Sequence, residues 1–424
     1  MSNIFVANIT IQAKTALKIG SKNADFLQDS PIQKDWNSLP MILGTSITGV
    51  FRKELDKENA NILFGDEDSN KKDAKGSKTI ISNALLLDEN EKVNETLLLN
   101  KSDFLQKITI LPIREHNAIN SKGVTIDKSK YDEEVIYKGT RFRFRIEMIE
   151  SCEDEFNKVL DLLFLNTFRI GAGSSKGFGQ VEVVNISYDK FDTSSKEYEN
   201  LTSSLNEAFS NSYTKKDMKN NSYIKYELKL TPDDFFMFGS GFGDDEADMT
   251  PVYEKVVDYK NKKLTDEKVL IPASSIKGAI SHRTTYHYNL LNEIFIDSEN
   301  KTPFEVVESI FGAKKDKDKE GFKGNILISD LYLDNTSIKV FDHVSIDRFT
   351  GGAIDSALFQ EKTITTNKEL PLEILIKNID DKKAIEAFER TIKEITTGML
   401  SLGGATTKGH GVFSGIVLRN GVQI

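Results

Sequence analysis

Apolar and polar positions alternate over residues 6–13 (Val-Ala-Asn-Ile-Thr-Ile-Gln-Ala) and again over 223–230 (Tyr-Ile-Lys-Tyr-Glu-Leu-Lys-Leu). Each run predicts a half-buried strand. A helical face follows each of them. Ile47, Val50, Phe51 and Leu55 form the first, with Thr45 or Ser46 as the expected cap. Ile276, Ala279, Ile280 and Arg283 form the second, behind Ser274 or Ser275. Apolar strands are expected next, at 79–87 and 325–333. A later helix in each half is marked by Phe156, Val159, Leu160, Leu163 and Thr167, and by Ile385, Phe388, Ile392, Ile395 and Met399. Closing strands start at Gln180 and Val412.

Each half therefore reads β-α-β-β-α-β, which predicts an α+β chain of two tandem ferredoxin-like, RNA-recognition-type domains. The repeat extends to motifs. Residues 41–52 (Met-Ile-Leu-Gly-Thr-Ser-Ile-Thr-Gly-Val-Phe-Arg) return at 271–283 as Ile-Pro-Ala-Ser-Ser-Ile-Lys-Gly-Ala-Ile-Ser-His-Arg, about 230 residues on. Leu63-Phe-Gly returns as Ile310-Phe-Gly. Each half closes on a glycine loop, one around Lys176 and one around Lys408. The expected organisation is a first domain over 1–186, a linker over 187–222 with a short helix near 200–209, and a second domain over 223–424. The charged stretches 65–78 and 313–323 read as surface loops.

With 424 residues the chain has room for two or three domains. Charged residues make up 29% and hydrophobic ones 38%, a composition that folds rather than stays disordered. The single cysteine, Cys152, excludes an intrachain disulfide and a cysteine-rich zinc site. No run approaches the ~18 apolar residues of a membrane span. No secretory signal is visible at the start, so the cytoplasm is the expected compartment. A net charge of −9 argues against a surface that coats nucleic acid all over. It leaves room for one basic groove on an acidic body.

The glycine loops follow helices and open strands, the reverse of a dinucleotide fingerprint, and no Gly-Lys-Ser/Thr closes them as in a P-loop. Main-chain N–H groups in such loops can approach a phosphate, with Gly173, Lys176 and Gly177 the candidates in the first and Gly404, Lys408 and Gly409 in the second. A tight helix-to-strand connection is the other reading. The serine-containing helix starts offer a further anion site at Ser46 and Ser275. Arg52, Lys53, Lys277 and Arg283 lie near them. In 343–353 (His-Val-Ser-Ile-Asp-Arg-Phe-Thr-Gly-Gly-Ala), His343 is a candidate contact, and Arg348 beside Phe349 suits stacking on bases.

The turn into the helix at 39–49 and 270–278, the glycine loops at 171–179 and 403–411, and the 343–362 segment with a degenerate counterpart at 114–142 together resemble the RAMP superfamily of CRISPR-associated RNA-binding proteins. The tandem arrangement resembles subtype III-D effectors more than one-domain backbone proteins. The resemblance implies guide (crRNA) and target RNA as partners, together with other effector subunits, and no membrane. It also implies a catalytic aspartate before Ser-Pro in the loop after the first strand, which is Asp29 here. Aligning Pro251 with Pro31 puts Met249 in that column and Asp248 one residue early, with Asp244 and Asp245 as alternates. The implied reaction is cleavage of target RNA by its own 2′-hydroxyl, with a divalent cofactor ion, Mg2+ or Mn2+. The competing readings are an inactive structural RNA-binding subunit and a guide-processing endoribonuclease. No metal-ligand set is apparent in the sequence.

Overall fold

The computed structural model describes residues 3–21, 31–66, 74–119, 125–150, 152–215, 222–295, 302–313, 320–334 and 336–424. Among them the chain is mixed α+β, built on two antiparallel sheets. The first half contributes β1 (Asn3–Ala13), α1 (Gly44–Glu54), β2 (Ala84–Leu86), β3 (Arg141–Ile149), α2 (Glu153–Leu162) and β4 (Val181–Asp192). The second contributes β5 (Tyr223–Pro232), α3 (Ala273–Leu291), β6 (Ile326–Ile328), β7 (Leu370–Lys377), α4 (Lys382–Thr396) and β8 (Phe413–Arg419).

In the first sheet β1 lies between β3 and β4, with Ile9 opposite Phe144 on one side and Ile186 on the other. In the second, β5 lies between β7 and β8, with Leu228 opposite Leu372 and Val417. β2 and β6 extend the sheets beyond β3 and β7. The helical faces meet these sheets as expected. Ile47, Phe51, Phe156, Val159 and Leu160 are buried in the first core, and Ile276, Ile280, Phe388, Ile392 and Ile395 in the second.

Several local expectations are corrected. Neither Thr45 nor Ser46 caps α1. The Gly44 N–H instead donates to Asn83 Oδ1 (2.9 Å), and at α3 the Ala273 N–H donates to Asp330 Oδ1 (2.8 Å). The capping group comes from a bend in the neighbouring strand, which breaks the predicted 79–87 strand into Thr79–Ile81 and Ala84–Leu86. The two late helices stop at Leu162 and Thr396, so Thr167 and Met399 lie beyond them. The short helix in the presumed linker is Lys196–Glu199, not 200–209. Finally, β1 is buried on both faces, not one. Its polar side is covered by the segment after residue 200, because the buried Arg145 guanidinium donates to Ser204 O (2.6 Å) and Asn8 Oδ1 (3.0 Å), and Leu205 enters the first core. The first sheet thus runs past residue 186, to Asp192, with Asn211–Ser212 added at its edge.

The halves are joined head to tail. Arg114 of the first half is buried in the second, donating to Glu254 (2.8 and 3.1 Å), Asp330 (2.5 Å) and the Tyr332 hydroxyl (2.9 Å). Burial works against its charge, and Glu254 and Asp330 outweigh that and hold it on. Arg169 donates to Ile328 O (3.0 Å) and Ser329 Oγ (2.9 Å).

Candidate nucleic-acid interface

Each glycine loop leans on the base of a hairpin. In the first half Ile113–His116 pairs with Tyr131–Glu134, placing His116 opposite Tyr131. The two rings stack, 5.0 Å between centroids. Lys176 reaches over the Tyr131 ring and donates to its hydroxyl (2.7 Å). Below them the buried Glu133 carboxylate takes Lys18 and lies 3.3 Å from His116 Nε2. Burial alone would raise its pKa, but the contacts from His116 and Lys18 hold it at about 2.

The second half repeats this arrangement. Ser337–Ile346 pairs with Ala353–Thr365, and His343 stacks on Phe359 at 4.8 Å. The Lys408 ammonium lies 4.5 Å from the Phe359 centroid and bonds Glu361 at 2.8 Å. Glu361, fully buried, also faces His410 Nε2 at 2.9 Å and His343 Nε2 at 3.4 Å. Burial opposes its charge, and Lys408 with the two histidines lowers its pKa nonetheless. A lysine over an aromatic ring, a histidine stacked under it and a buried acid as anchor therefore occur twice. The glutamates were not singled out from the sequence. Their signal is that both occupy the position two residues after the stacked aromatic.

The two loops differ in what surrounds them. Gly177 (φ +115°) presses on the second half, where an added Cβ would sit 2.0 Å from Asp330 Oδ1. Gly173 (φ +73°) folds over the Phe178 ring. In the second loop Gly404 donates to Met237 O (2.7 Å), and Gly409 faces open space. The other candidates scatter. Ser46 and Ser275 sit in first turns, each N–H donating to a carbonyl of the preceding turn. Arg52 is spent on carbonyls, donating to Gly65 O (2.8 Å), and on Asn61 Oδ1 (2.9 Å). Arg283 is paired with Glu394. Lys277 reaches Ser175 Oγ (3.4 Å), and burial, then Lys176, lowers its pKa. Lys53 is exposed. Arg348 and Phe349 stand exposed at the tip of the long hairpin, whose outer part also exposes Val344, Ile346, Ile354 and Leu358.

The acidic loops can be put in register by their backbone. Ser21 N–H donates to Pro31 O (2.9 Å) and Ser240 N–H to Thr250 O (2.8 Å), and Gly20–Ile32 and Gly239–Pro251 bridge alike. Each closing bond therefore spans nine residues, 22–30 and 241–249, and the eighth of each is an aspartate, Asp29 and Asp248. This corrects the proline-based alignment, since hydrogen bonds set the frame and match Pro31 to Thr250. Asp29 itself lies outside the described residues. Asp248 accepts from the Gln360 N–H (2.8 Å), one residue from Glu361 at the hairpin base. Asp244 is tied to Lys362, and Asp245 is exposed. Among the described residues no group of three or more His, Cys, Asp or Glu side chains could hold a metal ion.

The sequence profile of the RAMP superfamily matches residues 10–182 and 238–414, one match in each half. The chain belongs to the RAMP superfamily. It is a two-domain RAMP protein, and the family makes it a CRISPR-associated RNA-binding module with CRISPR RNA and effector subunits as partners. No curated protein matches the chain. Among the described residues no helix of this RAMP protein is long and apolar enough to cross a membrane.

Proposed function

We propose that the chain is a guide-RNA-binding backbone subunit of a type III CRISPR effector, of the tandem subtype III-D kind, that cuts complementary target RNA through Asp29 and Asp248. The observation that carries this reading is the residue-for-residue repetition of the lysine–aromatic–histidine–glutamate arrangement, together with an aspartate at the eighth of the nine positions between matching closing bonds in each half. Two equivalent RNA-contacting surfaces one domain apart suit a strand that runs the length of the chain. The sheet order, with the first strand between the third and fourth, supports a ferredoxin-like assignment for both domains.

In this reading the lysines meet phosphates, and the exposed Phe349 and Arg348 wedge against bases. Displacing a base lets the adjoining 2′-hydroxyl line up with its phosphate, which supplies orientation. A loop carboxylate then takes the hydroxyl proton as the 2′-oxygen attacks phosphorus, and the P–O5′ bond breaks, leaving a 2′,3′-cyclic phosphate and a 5′-oxygen that takes a proton from water. DNA, without a 2′-hydroxyl, is left intact. A divalent ion would neutralise charge on the phosphate. The described residues offer it no protein cage, and no step is drawn through it. The test is denaturing-gel mapping of end-labelled target RNA with the assembled complex. Two cuts at fixed spacing are expected, with Asp29→Ala and Asp248→Ala each removing one. An unchanged pattern in both variants would leave a structural RNA-binding subunit.

A further inference from the structure

Where the C-terminal end of α1 meets the edge of the second sheet there is a cleft of about 150 Å³, lined by Lys53, Tyr223, Lys323, Asn325, Leu327 and Lys377. Lys53 comes from the first half and the rest from the second, so the cleft exists only where the two are joined. Among the described residues none of the three lysines has an ion pair. Lys323 is exposed along its stem, but its ammonium turns in against Ser174 Oγ of the first glycine loop. Burial, then the charges of Lys53, Arg169 and Lys277, bring its pKa down to about 8, with Glu54 opposing. That carboxylate is already engaged by the Thr167 hydroxyl (2.6 Å). Arg169, buried alongside, keeps an Nε that has no hydrogen-bond partner.

Three cations, Lys53, Arg169 and Lys277, thus crowd Lys323 against one carboxylate, on a chain whose net charge is −9. Crowded like charges raise the free energy of the folded state, and the acids nearby, Glu54 at Lys323 and Glu373 and Asp330 at Arg169, do not cancel them. An anion would. The cleft is smaller than the ~300 Å³ at which ordinary small-molecule pockets begin, so it suits a single phosphate group rather than a whole nucleotide. Tyr223 adds a hydroxyl that burial keeps protonated, a ready donor to a phosphate oxygen. Toward the first glycine loop the positive line continues through Lys277 and Lys176.

We infer that this cleft binds one backbone phosphodiester of an RNA strand as it passes from the first domain to the second. The inference rests on the RNA-binding reading above and adds a site that needs both halves. It is tested on the full chain with Lys323→Gln/Lys377→Gln, titrating a single-stranded RNA oligonucleotide by fluorescence anisotropy at several salt concentrations. Losing the contact to that one phosphate should flatten the log K against log salt slope by about 0.7. Without RNA, the variant should melt no lower than wild type, and higher if repulsion is relieved, whereas a structural role for the lysines would lower the melting temperature. Wild-type RNA binding with an unchanged slope in the variant overturns this site and leaves the RNA-binding reading standing. Absence of wild-type RNA binding removes both. In a parallel arm, inorganic phosphate that stabilises wild type but not the variant, with RNA binding unchanged, would identify free phosphate as the ligand and overturn the assignment to RNA.

Discussion

Glu133 and Glu361 are acids beside a surface proposed to bind an anionic strand. Their burial explains them: each anchors cationic and aromatic groups at the base of its hairpin, where solvent cannot. Glu133 has its pKa held at about 2, below its usual 4.5, so its ionised form stabilises the fold. The depressed value fixes the sign. The contribution is complete above about pH 4.5 and is lost as pH falls toward 2. Glu133→Gln should therefore cost on the order of 2–3 kcal/mol at pH 7, with the gap from wild type closing in acid. Urea unfolding across that pH range measures it. A gap that stays constant with pH would mean that packing, not charge, is what Glu133 contributes.

At the level of elements, the two glycine loops offer a matched comparison. Both Gly177 and Gly409 have positive φ, but a Cβ on Gly177 collides with Asp330 while one on Gly409 meets nothing within 4 Å. Gly409→Ala should cost only backbone strain, about 1 kcal/mol. Gly177→Ala should cost distinctly more, because the first loop must retreat from the second half. Thermal unfolding of the pair decides it, and equal losses would contradict the docking role. The loops themselves were legible in the sequence, as were the main strands and helices, because each is a local pattern, whereas the break in 79–87 and the true place of the short helix at Lys196–Glu199 were not. The helix caps were not, because Asn83 and Asp330 reach them from another strand. Nor was the register of Asp248, since a proline in each loop suggests one frame and the closing hydrogen bonds impose another. Arg114 stood in a segment read as a degenerate hairpin, and its partners lie more than a hundred residues away.

Across the whole molecule, the head-to-tail contact could in principle repeat, since the second half carries its own glycine loop and the first half its own strand bend. The side chains say otherwise. Arg114 and Arg169 supply the charge of the internal junction, and the corresponding positions of the second half are Phe341 and Ser401. Asp330, which receives Arg114, corresponds to Asn83 in the first half. Among the described residues the outward faces thus lack both members of the Arg114–Asp330 pair, so two copies of this chain could not rebuild that pair there. Two outcomes are expected. In Arg114→Ala the buried Glu254 and Asp330 lose their guanidinium, a loss of about 3–5 kcal/mol. Calorimetry should then resolve two transitions where wild type shows one. In sedimentation velocity without RNA, the wild-type chain should run as one species of single-chain mass. A concentration-dependent series of multiples would show that the outward faces stack without the arginines. The specificity of the contact would then lie in the backbone shape of the glycine loop rather than in its charges.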